Sequence, residues 1–192
     1  MPEDWTLVKI DFSNAFNCLR RDTMLEAVAD RIPQLYKFCH LAYSQSSVLR
    51  FGEHILTSEE GAQQEDPLGP LLFCLTVHPL LMSLGSLLRI AYMDDFTLAG
   101  PSDIVSSDVA SVRQMGAAYG LHVNDSKSEV ITVSSTGNNN YAGFVQLTPD
   151  TSTLLGAPLG RGASLDACLL RHCENLERAI DRLQLIAAHD AL

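Results

Sequence analysis

The chain has 192 residues, 46% of them apolar, which is enough for one domain with a substantial core but short for a protein that must enclose several large ligands. Thirteen Lys plus Arg against 23 Asp plus Glu leave a formal net charge of -10, the wrong sign for general polyanion binding, because cationic contacts supply most non-specific nucleic-acid affinity. The longest apolar run, Leu68 to Leu88, is broken by Pro70, His78 and Pro79 and is no membrane span, and the five cysteines (Cys18, Cys39, Cys74, Cys168 and Cys173) form no C-x-x-C pair and suit buried free thiols better than a disulfide scaffold.

Thr6 to Phe12 reads as a strand with Val8, Ile10 and Phe12 on one face and Leu7, Lys9 and Asp11 on the other, so Asp11 ends a strand whose opposite face is core. Thr23 and Glu26 fit a capping box ahead of a helical stripe of Leu25, Val28, Ala29 and Ile32, which stops before Pro33. Leu35, Phe38, Cys39 and Ala42 make a second stripe. Val48 to Thr57, interrupted at Gly52-Glu53, suggests a hairpin. The polar loop Gly61 to Gly69 opens onto a buried helix through Leu71, Leu72, Leu75 and Leu80, kinked or ended near Pro79.

Leu87 to Tyr92 and Phe96 to Ala99 read as strands joined at Met93-Asp94-Asp95, a connection that sets two carboxylates at one end of a sheet. A helical face through Val109, Val112, Met115, Gly116 and Tyr119 follows, then a strand over Glu129 to Val133, a turn or short flexible insertion at Gly137 to Asn140 and, over Leu154 to Gly160, a strand entering a glycine-proline turn. From Leu165 the stripe Leu169, Cys173, Leu176, Ile180, Leu183 and Ala187 predicts an amphipathic helix, with Glu174 and Arg178 spaced as an i,i+4 pair. Strands mixed with helices, without a regular βαβ repeat, indicate an α+β fold.

Scattered thiols among apolar residues suit a reducing, intracellular setting, with nucleus and cytoplasm both open; Cys168, His172 and Cys173 lack the second ligand pair of a zinc site. The chemistry rests instead on Asp11 and, 83 residues later, Asp94-Asp95. If their strands are neighbours, the three carboxylates converge. Their repulsion then requires neutralisation by cations or basic groups, and magnesium, a hard ion that takes oxygen ligands, suits them. Spacing alone also fits solvated turn carboxylates, since Asp is common in turns.

Taken together, several segments resemble reverse transcriptases of the non-LTR retrotransposon type, with group II intron enzymes as more distant relatives. Asp11-Phe12-Ser13-Asn14-Ala15-Phe16-Asn17 looks like the first palm motif, Gly61 through Phe73 (GAQQEDPLGPLLF) the second, and Ala91-Tyr92-Met93-Asp94-Asp95 the third. Gly120-Leu121-His122-Val123-Asn124 through Lys127-Ser128 is similar to the next helix-to-strand motif, and Leu155 to Gly160 to the turn that ends the palm.

This resemblance implies an α+β, reverse-transcriptase-like palm over residues 1–160, its antiparallel sheet packed on helices, with 161–192 a helix that starts the thumb connection, the fingers largely absent and the thumb missing. It implies RNA-directed DNA polymerase chemistry: transfer of deoxynucleotides to a primer 3′-hydroxyl on an RNA template with two Mg²⁺ ions, Mn²⁺ substituting. Asp11 and Asp94 would be the principal metal ligands and Asp95 a supporting one. Phe16 would lie under the sugar and clash with a 2′-hydroxyl, Gln64 would line the nucleotide pocket, Tyr92 and Met93 would pack near the primer end, and Lys127 would approach the phosphates.

One departure stands out: Glu65 occupies a position that is normally glycine in the second motif, adding bulk and charge beside a triphosphate. Glu65, the acidic balance and the short chain support a second reading, an inactive retroelement-derived remnant with a structural or interaction role. A third, RNA-templated RNA polymerase, fits the carboxylates but not Phe16 or the extended second motif. Template affinity is expected to be weak, no membrane partner is implied, and the oligomeric state is open.

Overall fold

A computed structural model describes residues 2–63, 65–132, 141–183 and 185. The chain divides into two compact units, Met1–Gln146 and Leu147–Leu192.

The first unit is organised by β1 (Trp5–Ile10), which pairs antiparallel with a strand on each side. One neighbour is β5 (Asp95–Pro101), itself paired antiparallel with β4 (Leu88–Tyr92); the other is β6 (Glu129–Thr132), followed at the edge by β7 (Val145–Leu147). The five-strand order is therefore β4-β5-β1-β6-β7. The period-2 pattern of β1 explains its place: Val8, Ile10 and Phe12 are buried in the core while Lys9 and Asp11 are half-buried on the opposite face.

Helices cover the apolar face of the sheet. A single turn, α1 (Ala15–Cys18), leads into α2 (Arg21–Arg31), which packs against α3 (Pro33–Tyr43) and α4 (Gly69–Ser83). The other helix on the sheet, α5 (Ser102–Ala118), packs on β1 and β5. Met24, Val28, Leu72, Phe73, Val77, Leu80, Val105, Val109 and Val112 meet the sheet residues Val8, Ile10, Phe96, Leu98 and Val130 in one apolar cluster. Burying such side chains is the main stabilising term, about 1.5–3 kcal/mol for each large one.

Several local expectations shift. The first long helix begins at Arg21 rather than at a Thr23 capping box; the Asp22 carboxylate accepts from the Thr23 N–H and binds Arg20, which draws the start forward. Pro79 lies inside α4, which continues to Ser83. Pro33 occupies the first turn of α3, where its missing N–H has no intrahelical partner to lose. The hairpin β2 (Ser47–Phe51) and β3 (His54–Ser58) forms as expected, but as a separate two-stranded sheet with Val48, Leu49, Phe51, Ile55 and Leu56 exposed.

The second unit holds a 3-10 turn at Pro149–Thr151, a small hairpin of β8 (Thr153–Leu154) and β9 (Ala157–Pro158), and α6 (Ala163–Leu183). The strand expected over Leu154 to Gly160 is instead bent back on itself, because Leu155 and Gly156 both take positive φ, 48° and 82°. On α6 the apolar stripe is present, and Leu169, Leu176, Ile180 and Leu183 are exposed. Arg178 bonds the Glu174 backbone carbonyl and the Asn175 side chain rather than the Glu174 carboxylate, since Asn175 is one turn away on the same face. The expected turn at Gly137 to Asn140, Val133 and Ala187 lie outside the described residues.

Candidate active site

Asp11, Asp94 and Asp95 line one cleft of about 260 Å³, together with Lys9, Ile10, Lys127 and Glu129. Strand register produces this convergence. Ile10 pairs with Phe96, so Asp11 and Asp95 are the next residues outward on adjacent antiparallel strands. Asp94 follows because β4 and β5 are joined by Met93 and Asp94 alone, with Tyr92 paired to Asp95. Met93 takes φ 56°, a conformation that two-residue hairpin turns usually give to glycine, so the turn that presents Asp94 carries backbone strain.

The backbone of Asp11 is fixed from both sides. Its N–H donates to Ser128 Oγ at 3.1 Å and its carbonyl accepts from the Asn124 N–H at 2.8 Å. The turn Asn124 to Ser128 is closed by the Ser128 N–H and Oγ–H, both donating to the Asn124 carbonyl, at 2.9 and 2.8 Å. These contacts set Lys127, exposed at the rim, beside Asp11, and explain why Ser128 is fully buried.

Charge is unevenly held within the cleft. Lys9 Nζ lies 2.7 Å from Glu129 Oε2 across the β1–β6 register. Burial holds the Asp95 carboxyl above its usual pKa; Lys9 opposes the rise, while Asp94, Asp11 and Glu129 reinforce it. Lys9 and Glu129 were read from the sequence only as strand positions, and the signal that could have promoted them is their place on the Asp11 face.

A second cluster shapes the loop of the second motif. Phe16 is half-buried and stacked on Phe73 of α4, centroids 4.6 Å apart, and its carbonyl accepts from the Ala62 N–H at 2.9 Å. Arg21, buried, donates to the carbonyls of Gly61 at 3.0 Å and Ser58 at 2.8 Å and to Ser58 Oγ, while its guanidinium lies over the Tyr43 ring at 5.4 Å. Tyr43 donates to Asp66, and Asp66 Oδ1 accepts from the Leu68 N–H at 2.8 Å at the entrance to α4. Burial and the bond to Asp66 push the Tyr43 hydroxyl up to about 12. Glu65 sits on this loop with φ 66°, in the left-handed region. Gln64 lies outside the described residues, and Tyr92 is exposed at the end of β4.

The donor set fits a divalent ion in kind: hard carboxylate oxygens line the cleft, and a cation would relieve the repulsion felt at Asp95. Among the described residues, no group of three or more His, Cys, Asp or Glu side chains is placed to hold a metal ion.

A sheet that gathers carboxylates from two of its strands at one rim, flanked by helices, defines a palm of the polymerase type. The chain belongs to the reverse transcriptase (RNA-dependent DNA polymerase) family, which it matches over residues 1–159. It is 28% identical over 152 residues to the retrotransposable element SLACS 132 kDa protein of Trypanosoma brucei gambiense, covering 73% of this chain but 13% of that protein. Its fold is similar to apo telomerase from Candida tropicalis truncated from the C-terminal domain (TM-score 0.55, 16% identity, 70% of this chain and 32% of that one). It is also similar to telomerase from Candida albicans in complex with the TWJ fragment of telomeric RNA (TM-score 0.56, 13% identity, 71% and 29%). No helix among the described residues is long and apolar enough to cross a membrane.

Proposed function

We propose that this chain is the palm of an RNA-directed DNA polymerase, a nucleotidyltransferase that joins deoxynucleotides to a primer 3′-hydroxyl on an RNA template. The observation that carries this reading is the cleft in which Asp11, Asp94 and Asp95 meet with Lys127 at its rim. Asp11 and Asp94 would hold Mg²⁺ or Mn²⁺, with Asp95 supporting them; when bound, such ions supply charge neutralisation and lower the pKa of the attacking hydroxyl. Lys127, which lines the same cleft, would neutralise charge on a departing pyrophosphate. Phe16, braced by Phe73, would exclude a 2′-hydroxyl, and Gln64 would contact the nucleotide. Tyr92 and Met93 lie at the hairpin where the primer end would rest.

Primer extension on an RNA template tests this, using the chain alone and the chain joined to the fingers and thumb of a non-LTR reverse transcriptase. The expected result is Mg²⁺- or Mn²⁺-dependent incorporation, lost at least a thousandfold in Asp94→Ala, with deoxynucleotides preferred over ribonucleotides. No incorporation by the joined protein, folded and template-bound, would sink the reading.

Glu65 favours a second one. Its positive φ, on the loop that the resemblance assigns to the nucleotide, puts a charged side chain where the family resemblance has glycine. Under that reading the chain is an inactive remnant with a structural or interaction role. Glu65→Gly decides between them: recovered or raised incorporation assigns the defect to this residue, whereas continued inactivity leaves the remnant reading ahead.

A further inference from the structure

Besides its aspartates, the cleft contains an ion pair that the polymerase reading leaves without a task. Lys9 lies on β1 and Asp11, two residues on, directly follows the strand's last residue, so the alternation of the strand puts both side chains on one face. Glu129 stands opposite Lys9 on β6, 2.7 Å away, and the paired side chains are 18% and 28% exposed. Both line the same cleft as the three aspartates. Four carboxylates and two ammonium groups thus share one concave space.

A cross-strand Lys–Glu pair far from any site would only staple two strands, with a small effect on stability. Here its location gives it a second consequence. A cation approaching Asp11, Asp94 and Asp95 meets one positive charge already fixed at the edge of the patch. Glu129 holds that charge back from the aspartates and partly offsets it.

We propose that Lys9, anchored by Glu129, is a tethered counter-cation that sets the affinity of the Asp11–Asp94–Asp95 patch for divalent ions. The inference rests on the reading of this cleft as a cation site. It has a sign that stapling lacks. Lys9→Gln removes a positive charge and leaves Glu129 as an added negative one, so divalent ions bind more tightly. Glu129→Gln removes a negative charge and frees the Lys9 ammonium to move onto the aspartates, so they bind more weakly. Each change is expected to be about tenfold at low salt, with Lys9→Arg close to wild type and the double variant Lys9→Gln/Glu129→Gln between the two single ones.

The test is titration of the full chain with Mn²⁺ alone, followed by water-proton relaxation, with circular dichroism melts reporting folding and Asp94→Ala as the site control. Opposite shifts in the two single variants support the proposal, as does Mn²⁺ binding that is undetectable in wild type and appears in Lys9→Gln. Binding that is lost in Asp94→Ala but equal in wild type, Lys9→Gln and Glu129→Gln overturns the counter-cation and leaves the cation site standing. Binding that is indifferent to Asp94→Ala, or absent from every form, overturns both. If Lys9→Gln does not fold, Glu129→Gln against Lys9→Arg still decides: weaker binding only in the former supports the proposal, and equal binding overturns it.

Discussion

Gly61 leaves no room for a side chain. Its φ is +73°, and an added Cβ would lie 2.4 Å from the Phe16 carbonyl oxygen and 2.5 Å from Asn17 Cα, both backbone atoms that cannot turn aside. The Gly61 N–H meanwhile donates to the Leu19 carbonyl at 2.8 Å, so the loop cannot retreat without breaking that bond. Gly61→Ala should therefore destabilise the fold by about 3 kcal/mol, read from urea unfolding midpoints. Glu65 is the converse case. A non-glycine residue in the left-handed region costs roughly 1–2 kcal/mol, so Glu65→Gly should raise stability by about 1 kcal/mol even where it touches nothing. A lowered midpoint for this variant would mean that the loop does not hold Glu65 at positive φ. The two substitutions have opposite signs at neighbouring places on one loop, and both follow from backbone geometry alone.

At the scale of elements, the segment between β3 and α4 is held by side chains from two helices that precede it. Arg21 of α2 bonds carbonyls on either side of Glu59-Glu60, and Tyr43 of α3 ties Asp66 to the start of α4. Arg21→Met keeps much of the packing but strands those carbonyls, and should cost about 2–3 kcal/mol, seen as a lower melting temperature and faster proteolysis within residues 58–63. The Tyr43 link has a pH signature. Its hydroxyl is raised from 10.0 to about 12, so below pH 10 both folded and unfolded chains keep the proton and the full stability is present. Between about pH 10 and 12 the unfolded chain releases the proton first, and stability falls as pH rises through that window. Tyr141, raised to about 12 mainly by burial, contributes in the same direction. Urea midpoints at pH 9, 10 and 11 should decline less in Tyr43→Phe than in wild type. None of this cluster was legible in the sequence, because an arginine in a helix reads as surface and the Ser58 and Gly61 carbonyls that it bonds lie 37 and 40 residues away. What was legible followed from short periods: the alternation of β1 oriented Asp11, and the break at Met93-Asp94 gave the hairpin that brings Asp94 and Asp95 round to it. The three-residue β7 was missed because it spans too few residues for a pattern to show, and the turn read over Leu155 to Gly160 bends at its first two residues, Leu155 and Gly156.

For the whole molecule, the net charge of -10 sets two responses to salt that run in opposite directions. Self-repulsion acts on the folded chain over a Debye length of about 30 Å at 0.01 M ionic strength and about 8 Å at 0.15 M. Among the described residues, two of the four ion pairs, Arg20–Asp22 and Arg31–Asp30, are exposed on both sides, and such pairs contribute little. Screening the repulsion should win, and the melting temperature should rise by about 2–4 °C between those salt concentrations. Nucleic-acid binding should respond the other way, and the steepness of that response is informative. Each phosphate neutralised by a basic side chain adds about 0.9 to the slope of log affinity against log salt for duplexes. In the cleft Lys9 is committed to Glu129, which leaves Lys127 as the cation at its rim. A fluorescence-anisotropy titration of this chain with a primer–template duplex should therefore give weak binding with a slope shallower than about -3. A slope of -5 or steeper would require several more phosphate contacts, and so a basic surface elsewhere on the chain that the acidic balance conceals.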